Sequence, residues 1–258
     1  MGSGGHNFID RKGEKFLTGE GYEIEIIEYF GAKNCTIRFS DNSLILKGVH
    51  YQNLKKGVLK NPYHPSVAGI GFMGIGLYSY KKNKICYNRW RQIIMRCYNI
   101  KNQKKFHHLC YRHITVVEEW LNFQNFAEWF ESKYKEGFHI DKDILIKGNN
   151  VYSPETCCFV PQEINNLFVK NNLKSNALPT GVTKSGGNFC GFKKTDNTTK
   201  YLGTFKTPEE AFQAYKIAKE AHIREMADKW KDQIEIEVYK TLQDYKIEMR
   251  DLIINILI

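Results

Sequence analysis

Between His139 and Asn166 the chain reads HIDKDILIKGNNVYSPETCCFVPQEINN, a run that crowds acid, amide and imidazole side chains together. Asp141 and Asp143 are hard oxygen donors, and Asn149, Asn150, Asn165 and Asn166 add amide oxygens. Such donors suit magnesium or manganese. His139 titrates near neutrality and can take a proton from water. It stands two residues before Asp141, so an extended backbone puts both on one face. Lys142 separates the two aspartates, and an ordinary lysine is protonated at neutral pH and cannot serve as a base. Oxygen donors beside a proton acceptor are the parts that metal-assisted hydrolysis needs.

The order of these residues adds a second reading. An Asp-rich turn, an asparagine, Tyr152-Ser153-Pro154-Glu155, Cys157 and then a short helical stretch with Asn165 resembles the core of bacteriophage HNH homing endonucleases. The resemblance implies a ββα module holding one Mg2+ or Mn2+ through Asp141, Asp143 and Asn165, with His139, Asp141 and Asn150 in the catalytic roles. That family places histidine directly after its metal-binding acid, where Lys142 stands here, and His139 is the substitute. Two readings follow: a nuclease that nicks or cleaves DNA, and a relative that docks on DNA without cutting it.

A site of this kind needs elements that bring it to a polyanion. From Lys81 to Arg112 there are ten lysines and arginines and no acid. Trp90, Ile93, Ile94 and Cys97 fall at helical spacing and predict one buried stripe. Arg89, Arg91 and Arg96 lie mostly off that stripe, and Lys101, Lys104 and Lys105 extend the charge. Lysines and arginines laid on phosphates release condensed counterions, which favours binding. His107, His108, Cys110 and His113 follow, but their spacing matches no standard zinc pattern.

The second such element is LPTGVTKSGGNFCGFKKTDNTTKYLGTFKTPEEAFQAYKIAKEAHIREMADKW, residues 178–230. Three alternating segments, Thr180–Lys184, Asn188–Lys194 and Lys200–Phe205, are separated by turn residues. Thr207, Pro208 and Glu210 spell a capped helix start. Ala211, Ala214, Tyr215, Ala218 and Ala221 make a small-residue stripe that would let the helix lie close on a sheet. TGV, an aromatic in the second strand, YLGTF and TPEEAFQAY together resemble the APETALA2 or ethylene-response-factor DNA-binding domain. That resemblance implies a sheet laid in the major groove of double-stranded DNA, touched here by Thr183, Lys184, Asn188, Phe189, Lys193, Lys194 and Lys200. The family reads bases with arginine and tryptophan. Threonine, asparagine and lysine at the matching positions suit phosphate better than base edges.

The remainder frames these parts. Residues 6–78 alternate short strands with glycine turns and predict a small β-barrel or sandwich of SH3-like size, with Tyr22–Ile26, Asn34–Phe39 and Ser43–Tyr51 as strands. Gly69, Gly71 and Gly74 spell GxGxxG, but no helix follows in a βαβ setting, so a glycine-rich loop is expected there. Phe126, Trp129, Phe130 and Tyr134 predict the core face of a helix opened by Asn122 or Gln124. Over 233–258, Val238, Leu242, Tyr245, Met249, Leu252 and Ile256 keep heptad spacing, which predicts a terminal helix packed on its own body or pairing as a homodimer. The fold expected is α+β, divided as 6–78, an HNH-like core at 79–172, the DNA-binding unit at 176–231 and the helix at 232–258.

A net charge of +10 favours an anionic partner. No run is apolar enough to span a membrane, and seven cysteines without a CxxC pair point to a reducing compartment. The resemblances place that compartment in the cytoplasm of a bacterial host, with the gene carried by a phage or mobile element. A regulator that binds DNA, or an accessory protein that meets a host protein partner, are the alternatives to a nuclease.

Overall fold

The structure is a computed structural model, and it describes residues 9–41, 44–99, 113–168, 178–195 and 198–249. At the amino end, β1 (Lys15–Leu17), β2 (Glu23–Tyr29), β3 (Cys35–Phe39) and β4 (Ile45–Val49) form one antiparallel sheet in chain order. Alternation works as expected: Ile24 and Ile26 turn inward with Ile37 and Phe39, while the glutamates between them stay at least partly in solvent. The expected barrel is corrected to an open sheet. After β4 the chain turns into α1 (Tyr51–Lys55), which lies against β1 and puts Tyr51 and Leu54 into the small core, and β1 and β4 stand at the two edges of the sheet among the described residues. The strand expected to run through Tyr51 therefore ends at Val49.

The central body is built from α2 (Lys84–Tyr98), β5 (Thr115–Val116), a 3-10 turn at Glu118–Leu121, α3 (Phe123–Lys133), β6 (Phe138–Asp141), β7 (Val151–Tyr152), β8 (Cys158–Pro161) and α4 (Gln162–Phe168). The stripe on α2 is buried as its spacing demands, through Trp90, Ile93, Ile94 and Cys97, with Cys86 joining it. Asn122 caps α3 by accepting the Gln124 N–H at 3.0 Å. Phe126, Trp129 and Phe130 then fill the core, and Tyr134, just past the helix, stacks on Phe130 at 4.6 Å between ring centres. β6 and β8 pair antiparallel, with His139 opposite Val160 and Asp141 opposite Cys158. Between them β7 leaves to pair in parallel with β5. Helix α4 follows β8 without a break, so strand, strand and helix come in ββα order.

The third unit is the sheet β9 (Val182–Ser185), β10 (Asn188–Lys194) and β11 (Thr199–Phe205), backed by α5 (Pro208–Trp230). The capping box forms in full: Thr207 Oγ1 accepts the Glu210 N–H, and the Glu210 carboxylate accepts the Thr207 N–H. Ala211, Phe212 and Tyr215 pack on the sheet with Val182, Phe189 and Phe205. The small-residue stripe does not run the whole helix, however. Ala221 is exposed, and further along Ile223 and Ala227 are fully buried in the central core instead. One uninterrupted helix thus serves both bodies.

The terminal helix is shorter than its heptads suggest. α6 covers Ile236–Gln243 and stops at Asp244. Val238 and Leu242 are fully buried in the chain's own core, and Tyr245 lies beyond the helix against Phe168 at 4.9 Å between rings. The first positions of the supposed dimer seam are therefore spent within the chain, and Leu252 and Ile256 lie outside the described residues. Among the described residues six cysteines, Cys35, Cys86, Cys97, Cys157, Cys158 and Cys190, are buried and joined in no disulfide. Burial pushes the Cys157 thiol up to about 12 and Cys97 up to about 11, so both stay protonated at neutral pH and serve as small apolar groups. No helix among the described residues is long and apolar enough to cross a membrane.

Candidate nucleic-acid interface

The segment 141–157 joining β6 to β8 is held by the side chains that could have done chemistry. Asp141 Oδ1 accepts the backbone N–H groups of Asp143 at 2.7 Å and Ile144 at 2.9 Å, an Asx turn that starts the loop. Asn149 spans its middle, donating to the Lys142 carbonyl at 2.9 Å and the Val151 carbonyl at 2.6 Å, and accepting from the Val151 N–H. The Tyr-Ser-Pro-Glu-Thr stretch is a turn in which Thr156 Oγ1 accepts the Ser153 N–H at 3.1 Å and donates to the Val151 carbonyl at 2.7 Å.

Lys142 is the surprise, because a lysine is seldom buried without a partner. It is only 6% exposed. Its ammonium donates to Asp143 Oδ1 at 2.6 Å and to the Asn149 carbonyl at 2.7 Å, and lies over the Tyr152 ring. Buried charge needs such compensation, and the loop supplies it. Asp143 is thereby engaged by an internal cation. Asn150 is exposed, and its backbone carbonyl, not its side chain, makes the recorded contact, accepting the Thr115 N–H at 2.8 Å. Asn165 sits half-buried on α4. Among the described residues no three His, Cys, Asp or Glu side chains converge on a point where a metal ion could sit.

His139 and Asp141 share a face of β6, as their spacing implied, and their environments push them in opposite senses. Burial, then the nearby Arg89 charge, holds His139 below its ordinary pKa. It is therefore neutral at neutral pH. Burial raises the Asp141 carboxyl against the pull of its two N–H donors. Arg91 and Arg96 are exposed on the same helix as Arg89, whereas Lys101, Lys104 and Lys105 lie outside the described residues.

The Asp141 shift makes a direct test of whether this carboxylate is structural. Its folded pKa is raised, so the native state holds a proton that the unfolded chain has already released as pH climbs from the ordinary carboxylate value. Stability falls as pH rises through that window, and the loss is complete above it. Asp141→Asn keeps an acceptor for both N–H groups and removes the disfavoured charge. Calorimetry is expected to give the variant a melting temperature equal to or above the parent's at neutral pH, with the difference closing in acid. A clear drop at neutral pH would mean the charge itself is needed.

On the carboxyl-terminal sheet the expected contact residues divide between two faces. Val182, Phe189 and Phe205 pack under α5, and the cross-strand pairs Phe189–Lys184, Phe189–Phe205 and Lys193–Lys200 carry their partners to the same side. Phe189 is half-buried on the helix side rather than on the open face where it was expected, and Lys184, Lys193 and Lys200 share that side. Thr183, Asn188 and Lys194 alternate onto the open face. There they meet a pair that sequence reasoning missed. The Phe192 and Tyr201 rings lie 5.5 Å apart, and Tyr201 is 55% exposed. Simple alternation from Phe205 would hide Tyr201 beneath the helix. The register of β11 shifts between Gly203 and Tyr201, and Gly203 takes φ +136 to allow it, so Leu202 is passed over and Tyr201 emerges opposite Phe192. The glycine within YLGTF was the available signal. No carboxylate belongs to this open face among the described residues, which is otherwise Thr183, Ser185, Asn188, Cys190, Lys194, Thr199 and Thr204.

No family model matches this chain, and neither a curated protein nor a solved structure matches it.

Proposed function

We propose that this protein binds double-stranded DNA with little dependence on sequence, on a scaffold resembling that of phage HNH homing endonucleases, and that the hairpin loop docks on DNA without cutting it. The observation that carries the reading is the open sheet face. It sets the half-buried Phe192 and the exposed Tyr201 beside Lys194, Asn188 and Thr183, with amide and hydroxyl groups to meet phosphate and, among the described residues, no carboxylate to repel it. The absence of arginine from these strands removes the planar fork that reads guanine most selectively, which is why little sequence dependence is expected.

A second reading, metal-dependent hydrolysis with His139 as base, has one point in its favour: His139 is neutral at neutral pH, the state a proton acceptor needs. The proposed Mg2+ or Mn2+ donors fit a divalent cation poorly as they stand. Lys142 Nζ lies 2.6 Å from Asp143 Oδ1, so an entering cation would meet an ammonium already in place. The hydrogen bonds of Asp141 and Asn149 hold the loop rather than leave a vacant oxygen cage.

Fluorescence anisotropy on a labelled duplex across a salt series tests the grip. Affinity is expected to fall steeply with salt, and Lys194→Ala is expected to flatten the logarithmic slope by about one phosphate contact. Affinity indifferent to salt would remove the DNA reading and favour a host protein partner. Plasmid incubated with the protein and Mg2+ or Mn2+ should stay supercoiled, whereas nicking that Asp141→Ala and His139→Ala abolish would reinstate the nuclease.

A further inference from the structure

The glycine run that resembles a nucleotide motif has another use. Gly74 and Gly76 come so close to the start of α3 that a Cβ at either would collide with the Asn122 or Gln124 side chain. Gln124 is buried and grips the loop at both ends. Its Nε2 donates to the Met73 and Tyr78 carbonyls, each at 3.0 Å, and its Oε1 accepts the Tyr78 N–H at 3.0 Å. Beyond the loop, Tyr80 packs on Tyr87 of α2 at 5.1 Å between rings. A short loop tied this way is rigid.

What it presents is apolar. Ile75 is 53% exposed and Leu77 is 87% exposed, at the tip of the clamped segment. A mobile loop would fold such side chains down, but this short one is bonded at both ends, at Met73 and Tyr78. Lys81, Lys82 and Lys84 follow directly and are all exposed. The chain has no acid from Asn42 to Val117, so the loop and the whole of α2 lie in one basic tract.

We infer that Ile75 and Leu77 form a preset wedge that enters between base pairs of bound duplex and bends it, with Lys81, Lys82 and Lys84 holding the flanking phosphates. An apolar tip framed by cations suits a site where stacked bases meet a charged backbone. Because Gln124 orders the loop beforehand, binding does not have to supply that order. Unstacking is easiest at pyrimidine–purine steps, so the wedge selects deformable sequence without reading base edges. The inference rests on the DNA reading above and adds to it the form of the ligand: kinked duplex.

The test uses the full chain and a duplex carrying a donor and acceptor dye at its ends, with 2-aminopurine beside a central TA step. The parent protein is expected to raise energy transfer and 2-aminopurine emission together. Leu77→Ala, at a site too exposed to disturb folding, should lose most of both signals and bind three- to tenfold more weakly. Leu77→Lys should hold the duplex as tightly as the parent, or more so, yet leave it straight. A parent complex that binds but neither bends nor unstacks the duplex would overturn the wedge while leaving the DNA reading intact. A duplex not bound at all would overturn both.

Discussion

Alanine at both Phe192 and Tyr201 is expected to weaken DNA binding about thirty- to a hundredfold while leaving the fold intact. Tyr201 is more than half exposed, and neither ring belongs to the cluster beneath α5, so their loss opens no cavity there. Truncating an aromatic anchor at the centre of an interface typically costs more than about 1 kcal/mol, and two adjacent ones together about 2–3 kcal/mol. The salt dependence separates this effect from a loss of charge. Aromatic rings displace no counterions, so the double variant should bind weakly with the parent's salt slope, opposite to the Lys194→Ala pattern. Anisotropy titrations at several salt concentrations read both quantities. Parental affinity in the double variant would mean that the open sheet face is not where DNA sits.

The second large effect concerns stability. Trp90→Ala is expected to remove most of the stability of the central body. Trp90 is 1% exposed, its ring packs on Tyr87 and Phe123 at 5.5 and 5.4 Å, and its Nε1–H donates to the Trp120 carbonyl at 2.7 Å. Truncating a buried tryptophan costs about 3–5 kcal/mol. The orphaned carbonyl adds roughly 1–3 kcal/mol. Domains are stable by only about 5–15 kcal/mol in all, so the variant should populate unfolded states at growth temperature. Urea denaturation followed by tryptophan fluorescence and circular dichroism measures the loss. Trp90→Phe keeps much of the packing and discards the hydrogen bond, so it should fall between parent and alanine variant. A Trp90→Ala protein unfolding near the parent's midpoint would show that α2 is not the pillar its packing implies.

Features set by neighbouring residues were legible in the sequence. Thr207, Pro208 and Glu210 act over one helical turn, and the box they spell is the one that forms. Trp90, Ile93, Ile94 and Cys97 repeat with the helix period, and all four are buried. The contact residues were harder because strand faces depend on register. One skipped residue at Leu202 reverses Tyr201 with respect to Phe205, and Phe189, offered as a contact, turns half-buried toward the helix side. In the sequence Lys142 reads only as a residue that cannot be the base; its burial and its two acceptors come from a loop folding back on itself, which spacing cannot express. At the tail, apolar spacing runs on through Tyr245 although the helix stops at Asp244, since periodicity carries no stop signal of its own. The glycines before α2 were rightly taken for a loop, but the Gln124 clamp that orders them lies far along the chain.

Helix α5 begins beneath the sheet at Ala211 and Phe212 and ends inside the central core at Ile223 and Ala227, with no interruption between. The two bodies therefore share a rigid beam instead of a joint. Any tug on the sheet is relayed along that beam to the hairpin's foundation, and neither half can come apart without loosening the other's anchorage. Melting should consequently proceed as one cooperative event across both, and the molecule would meet its ligand as a single stiff tool.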